Sequence, residues 1–198
     1  MFWRFTVAVM KVLTFVLFRL RVERLADLPA EGPLLVVANH KSYVDPVLVA
    51  VAVPRHVHFM AKAQLFNIPL LGMLIRRLGA FPVHRGRPDR SAISRAIELL
   101  KEGESVGLFP EGARIKGFPL GAGERGVSFI AVMAGTPILP VAILGNERIM
   151  PPGAHLPRLP RVRVVTGEPF ILPAGMSSAA AAADIMEKIS QLREEATT

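Results

Sequence analysis

The sequence predicts an α/β fold: a single domain with a mixed, largely parallel central sheet flanked by helices, preceded by an N-terminal amphipathic helix. Three observations lead there. Short apolar runs, bounded by Pro, Gly or charged residues, recur along the chain and read as buried strands. Between them lie stretches with apolar residues at helical spacing, and strands alternating with helices build a largely parallel sheet. The 198 residues suffice for one domain with a sizeable core, and no internal repeat marks a second. Residues 1–24 are set apart as the N-terminal segment, and residues 25–198 as the domain proper.

The N-terminal segment begins MFWRFTVAVMKVLTFVLFRL. A spanning helix needs about 20 mostly apolar residues. Here Arg4, Lys11 and Arg19 interrupt, and the longest uncharged run is seven residues. Arg4 and Lys11 lie two turns apart and share a face with Val7, Thr14 and Phe18. Trp3, Phe5, Val9, Val12, Val16 and Leu20 populate the opposite side. No small-residue cleavage site follows. The segment reads as a membrane-interface helix with its basic residues toward phosphate headgroups. A terminal helix packed on its own domain is the competing reading, and a tilted span the weaker third.

A turn-rich link, residues 27–33, leads to the apolar run Pro33–Ala38, a buried strand. Asn39-His40-Lys41-Ser42-Tyr43-Val44-Asp45-Pro46 follows. Pro46 suits the first turn of a helix to Val53, and Asp45 suits its N-cap. Residues 55–61 read as a second strand, with His56 and His58 on one face. No third ligand stands at a telling spacing, so a structural histidine pair is the stronger reading and a metal site the weaker. Residues 69–78 look helical, with Arg76 and Arg77 in the last turn, where the dipole favours them. A third strand, 80–84, ends at Arg85-Gly86-Arg87. Pro88 and Asp89 open a helix near 89–102, with Ile93, Ile97 and Leu100 at core spacing. A fourth strand, 105–109, is broken by Pro110-Glu111-Gly112. Residues 121–126 match G-x-G-x-x-G, but no convincing strand precedes them, so the dinucleotide reading is discounted. A helix over 125–134, a strand over 138–144, a late and possible edge strand over 161–166, and a final helix from Ser177 complete the chain.

Hydrophobic residues make up 51% of the chain and mean hydropathy is +0.40, alongside 20% charged residues. That balance points to a membrane surface. A net charge of +8 favours anionic lipid, phosphate-bearing substrates or nucleic acid. Nucleic acid is set aside: with 11 Phe but one Trp and one Tyr, no basic run is interleaved with aromatics in the manner of a recognition module. The absence of Cys excludes disulfides and thiolate metal sites, and is compatible with a reducing cytoplasm.

His40 falls at a strand's end and Asp45 at a helix's start. A tight turn between them can bring the carboxylate to one imidazole nitrogen, leaving the other outward as a base. The plainer reading is a structural His beside a capping Asp. No thiol can serve as nucleophile, and G-x-S-x-G is absent. Ser42, two residues from His40, more readily bonds the turn backbone. His40 is therefore expected to act directly on a substrate hydroxyl, help worth about 10²–10⁴ in rate. Asn39-His40, Arg85 and Glu111-Gly112 all follow strands, and in open α/β sheets ligands gather beyond the strands' carboxyl ends. Arg85 and Arg114 suit phosphate through the planar guanidinium fork, with a surface ion pair as the alternative for each. Glu111 can accept a hydrogen bond from the substrate or hold Arg114.

Asn39-His40-x-x-x-x-Asp45 resembles the first motif of the glycerolipid acyltransferases, the family of 1-acylglycerol-3-phosphate (lysophosphatidic acid) acyltransferases. Three further blocks follow in the family's order. Residues 79–86, Gly-Ala-Phe-Pro-Val-His-Arg-Gly, resemble the second; Phe109-Pro110-Glu111-Gly112-Ala113-Arg114 the third; Ile138-Leu139-Pro140-Val141-Ala142 the fourth. The resemblance implies transfer of a fatty acyl group from a thioester donor to the free hydroxyl of lysophosphatidic acid, giving phosphatidic acid for phospholipid synthesis. It implies His40 as catalytic base with Asp45 as its partner, and Asn39, Phe81, Arg85, Glu111, Gly112 and Arg114 at the substrate. Acyl-CoA or acyl-carrier protein would be co-substrate, with no metal and no redox cofactor. The implied partners are anionic membrane lipids, on the cytoplasmic face of a membrane. Departures are visible: Ala113 stands where Thr is common, residues 115–124 lack the usual aromatic-basic approach to the next helix, and Lys41 adds a cation beside the base. Acceptors such as glycerol-3-phosphate or another lysolipid stay open. So do a non-catalytic lipid-binding protein, against which the intact His40/Asp45 pair argues, and a hydrolase using water.

Overall fold

The computed structural model describes residues 2–84, 89–110, 124–150, 156 and 158–197. Its strands form a seven-stranded sheet in the order β1-β7-β6-β2-β5-β3-β4. In chain order these are β1 (Arg21–Arg24), β2 (Leu34–Ala38), β3 (Val57–Lys62), β4 (Phe81–Val83), β5 (Ser105–Leu108), β6 (Ile138–Leu144) and β7 (Arg163–Thr166). Helices are α1 (Phe2–Phe18), α2 (Asp45–Ala52), α3 (Leu71–Arg77), α4 (Arg90–Lys101), α5 (Glu124–Ala134) and α6 (Ser178–Glu195). Strands β6, β2, β5, β3 and β4 run parallel, so their carboxyl ends share one edge of the sheet. β7 runs against β6, and β1 pairs parallel with β7. The single mixed, largely parallel α/β sheet expected from the sequence is therefore present.

Strand β2 is central and buried at every position. Alternation along it explains why it is apolar throughout. Leu34, Val36 and Ala38 face a cluster containing Leu48, Val49, Leu139, Val141 and Val164. Leu35 and Val37 face the other cluster, built with Leu99, Leu100, Ile130, Ile185 and Ile189 from α4, α5 and α6. Pro140 can sit inside β6 because the antiparallel ladder with β7 stops at the pair Val141–Thr166, and Gly167 N–H donates to the Pro140 carbonyl at 2.9 Å.

Two boundaries differ from the sequence expectation. The N-terminal helix stops at Phe18, and Arg21–Arg24, grouped with it by sequence, form edge strand β1. β7 is consequently an interior strand and not an edge. The face of α1 that packs on the domain carries Thr6, Thr14 and Phe18, with Val7 and Met10 partly buried. Thr6 and Thr14 tolerate burial by donating their hydroxyls to the carbonyls of Phe2 and Met10. Val7, Thr14 and Phe18, expected on a basic outward face, thus turn inward. Arg4 and Lys11 stay exposed. So do Phe5, Val9, Val12, Leu13, Phe15 and Val16, and Leu20 lies beyond the helix and is buried. Among the described residues no helix is long and apolar enough to cross a membrane.

Candidate active site

The turn after β2 holds the candidate base. The His40 Nδ1–H donates to Asp45 Oδ2 at 2.9 Å, and the side chains are 8% and 0% exposed. The same Oδ2 accepts the backbone N–H groups of Lys41 and Ser42, each at 2.7 Å. Oδ1 accepts from Asn146 Nδ2 at 2.9 Å. An ionised carboxylate only accepts hydrogen bonds, so the proton on this His40–Asp45 bond belongs to Nδ1 and the lone pair to Nε2. That is the tautomer a general base requires.

Asp45 does not cap its helix. Val44 is the N-cap of α2, without a side-chain capping bond, and Asp45 sits in the first turn next to Pro46. The carboxylate turns back instead into the loop that precedes it, where two backbone N–H groups and an imidazole outbid a helix amide. The geometry still joins Asp45 to His40, with its acid group fixed by four donors.

The His40 ring is also held on its face. It stacks on Phe109, with ring centroids 4.4 Å apart and planes 26° from parallel, and Phe59 stacks behind Phe109 at 6.1 Å. Phe109 follows β5 directly, so the first and third motif-like blocks meet at the shared carboxyl edge of the sheet. A hydrogen bond on one side and an aromatic face on the other leave the imidazole little rotational freedom.

A family model described as Acyltransferase matches residues 19–144. The 1-acyl-sn-glycerol-3-phosphate acyltransferase of Bacillus subtilis is 31% identical over 169 residues, 85% of this chain and 82% of that protein.

The chain belongs to the acyltransferase family.

Its backbone agrees. The crystal structure of the 1-acyl-sn-glycerophosphate acyltransferase PlsC from Thermotoga maritima superposes with a TM-score of 0.81 at 26% identity, covering 99% of this chain and 81% of that one. A Streptococcus pneumoniae 1-acyl-sn-glycerol-3-phosphate acyltransferase reaches 40% identity over a shorter stretch, 56% of this chain and 41% of that protein.

The remaining residues singled out from sequence divide three ways. Asn39 spends its amide on the β6 backbone: Nδ2 donates to the Ile143 carbonyl at 2.9 Å, and Oδ1 accepts the Ile143 N–H at 2.7 Å. It is a strut for the turn of this acyltransferase, one amide N–H and one oxygen lone pair being spent on the β6 backbone. Phe81, also expected at the substrate, is buried in the core with Leu35, Val37 and Leu99, because β4 enters the sheet at that residue. Arg85, Glu111, Gly112 and Arg114 lie outside the described residues. Sequence reasoning missed Asn146. A signal existed: it is a polar residue just past a buried strand, after Gly145 at φ +83°, where an added Cβ would collide with the Arg161 carbonyl oxygen. The strand-end logic that selected His40, applied to β6, selects Asn146 too.

Proposed function

We propose that this chain transfers a fatty acyl group from a thioester donor, acyl-CoA or acyl-carrier protein, to the free hydroxyl of 1-acylglycerol-3-phosphate, giving phosphatidic acid for phospholipid synthesis. The observation that carries the reading is the His40 tautomer: Nδ1–H is committed to Asp45, so Nε2 is a ready base. The names of the Bacillus subtilis and Thermotoga maritima relatives support the acceptor.

In this reading Nε2 takes the hydroxyl proton as the oxygen attacks the thioester carbonyl. The tetrahedral intermediate collapses with cleavage of the C–S bond, and the imidazolium returns its proton to the leaving thiolate. The product is an ester and a free thiol. Asp45 stabilises the imidazolium between the two transfers. Arg85 is assigned to the acceptor phosphate, and Glu111, Gly112 and Arg114 to the rest of the acceptor. The chemistry calls for no redox cofactor, since no electrons change hands, and with an imidazole base and a thiolate leaving group it requires no metal. Helix α1 is assigned to the cytoplasmic membrane surface, because apolar side chains such as Phe5, Phe15 and Val16 stand exposed on it beside Arg4 and Lys11.

The test is direct: purified protein, a labelled acyl thioester and lysophosphatidic acid, with identification of the lipid product. Labelled phosphatidic acid with wild type and none with His40→Ala supports the reading. Turnover only with glycerol-3-phosphate or another lysolipid in a parallel panel moves the acceptor. Label released as free fatty acid makes the chain a hydrolase.

A further inference from the structure

At the opposite end of the sheet from His40, three side chains converge that the acyl-transfer reading does not use. β3 pairs with β5 through Val57–Ser105 and His58–Val106. Extending that register back by one residue sets Glu104 opposite His56, and strand alternation puts His56, His58 and Glu104 on one face. Their ligand atoms all lie within 4.8 Å of one another. β5 separates this cluster from the His40–Phe109 stack by about 16 Å, at about 3.3 Å per residue.

The hydrogen bonds decide what these histidines offer. His56 Nε2 bonds the Leu78 carbonyl and His58 Nδ1 the Gly79 carbonyl, both at 2.9 Å. A carbonyl can only accept, so those nitrogens carry the protons. The lone pairs of the neutral rings are then on His56 Nδ1 and His58 Nε2. His58 Nε2 stands 3.5 Å from Glu104 Oε2. In the neutral tautomer two acceptors face each other there, an arrangement that a cation between them would relieve. The nearby guanidinium of Arg55 donates its hydrogen bonds to the carbonyls of Pro29, Glu31 and Gly32 and acts on Glu104 only through its charge.

We propose that His56, His58 and Glu104 form a divalent-metal site of the zinc class, structural and separate from the acyl-transfer chemistry. Two imidazoles and one carboxylate are a zinc-type donor set, with a water completing the tetrahedron. Backbone carbonyls that orient the far nitrogen of each ligating histidine are the expected outer partners of such an ion. Bonds of 2.0–2.2 Å require donor atoms about 3.3–3.6 Å apart, a spacing that His58 Nε2 and Glu104 Oε2 already have at 3.5 Å. Glu104 has the freedom to adjust to an ion, its side chain being 47% exposed. Gly79, at φ +78°, keeps the neighbouring turn close: a Cβ there would meet His58 Nδ1 at 2.5 Å. A bound ion would clip the starts of β3 and β5 together and, through the two carbonyls, pin the turn after α3. Trp3 lies against His56 with centroids 5.3 Å apart, so the first turn of α1 leans on the same site.

The experiment uses the full chain, stripped with a chelator and titrated with Zn²⁺ against a chromophoric competitor, with Co²⁺ absorption reporting coordination geometry. The expected result is one equivalent bound, a tetrahedral Co²⁺ spectrum and a melting temperature that rises with Zn²⁺. His58→Gln and Glu104→Gln should each weaken binding by about 100-fold or more, since loss of an outer partner alone costs about 10–100-fold. His84→Gln, at the exposed His84–Asp89 pair, should bind as wild type does. Should His58→Gln fail to fold, Glu104→Gln at its more exposed position carries the test. Absence of Zn²⁺ binding, or binding indifferent to Glu104→Gln, overturns the proposal. Doubly protonated His58 near neutral pH in NMR spectra of the metal-free and Zn²⁺-treated protein alike would also overturn it, making the 3.5 Å contact an imidazolium–carboxylate pair.

Discussion

Asp45→Asn isolates the charge at the candidate base from its geometry. The carboxylate takes His40 Nδ1–H and two backbone N–H groups on Oδ2, and Asn146 Nδ2 on Oδ1. An Asn with its oxygen at the Oδ2 position keeps the first three bonds. Its amide nitrogen then meets the Asn146 nitrogen, two donors facing. Asn146 relieves this by turning its own amide, because its buried Oδ1 has no hydrogen-bond partner. The variant should therefore fold and keep the reactive tautomer, losing only the negative charge beside the imidazolium. At an effective dielectric constant of about 20 and about 4 Å between charge centres, that charge is worth about 4 kcal/mol. Each 1.36 kcal/mol of barrier is tenfold, so kcat should fall about 10³-fold. The assay is thiol release from the acyl thioester with acceptor present, beside a thermal melt. A folded Asp45→Asn enzyme within tenfold of wild type would refute the charged-partner role.

His40→Ala should lose transfer by at least about 10²–10⁴-fold while melting as a folded protein, measured in the same thiol-release assay. Arg85→Ala should raise KM for the acceptor more than for the donor, and Arg85→Lys should recover only part, lacking the paired donors; equal effects on both substrates count against a phosphate role. Asp89 caps α4, its carboxylate accepting from Ser91 Oγ, the His84 N–H, His84 Nδ1–H and Ala92 N–H, and these bonds hold its carboxyl well below the usual carboxylate range. Asp89→Ala should cost about 1 kcal/mol at pH 7 by denaturant melts. Because the folded value is the lowered one, that contribution is present above the unfolded pKa of about 3.9 and fades as pH falls below it, so wild type and variant should converge in acid. On α1, changing exposed Phe5, Val12 and Val16 to Ser spares the face packed on the domain. With up to about 1.5–3 kcal/mol per inserted side chain, liposome partition should drop at least about 100-fold. Arg4→Gln/Lys11→Gln should weaken binding only to anionic vesicles, by about 1 kcal/mol per charge, with added salt mimicking it; unchanged partition in both variants would exclude α1 from the membrane.

Elements built on apolar runs were legible in the sequence, because burial on both faces writes itself into composition. β2 and β6 are examples, as is α4, with Asp89 before it and Gly103 after it. Strand β1 was not legible. Arg-Val-Glu-Arg carries one apolar residue, and it is a strand because β7 lies beside it. The Glu23 carboxylate there takes two bonds from the Arg163 guanidinium, at 2.8 and 2.9 Å. Glu104 was unreadable for a related reason: Lys-Glu-Gly-Glu after a helix looks like an ordinary solvated turn, and only the β3–β5 register reveals what it faces. Phe81 was placed at the substrate by a motif match; the structure packs its ring at the start of β4 against Leu35, Val37 and Leu99, which periodicity within a three-residue strand could not show.

The candidate site was legible as a pair but not as a network, and the network shows what β6 contributes. The His40 turn leaves the sheet where the β2–β6 ladder ends, at Ala38 opposite Val141. One residue on, the Asn39 side chain replaces the missing ladder by gripping both backbone groups of Ile143. Just past β6, Gly145 turns the chain through a left-handed conformation and delivers Asn146 to the far oxygen of Asp45. One end of the His40–Asp45 turn is thus fastened to β6 and the other to the turn that follows it, while Phe109 at the end of β5 closes the ring face. A run read in sequence as a buried strand and a fourth motif-like block, Ile138–Leu144, is the frame against which the base is aimed. It follows that damage to β6 packing should reach catalysis through the angle of His40, with no contact between the altered residue and substrate.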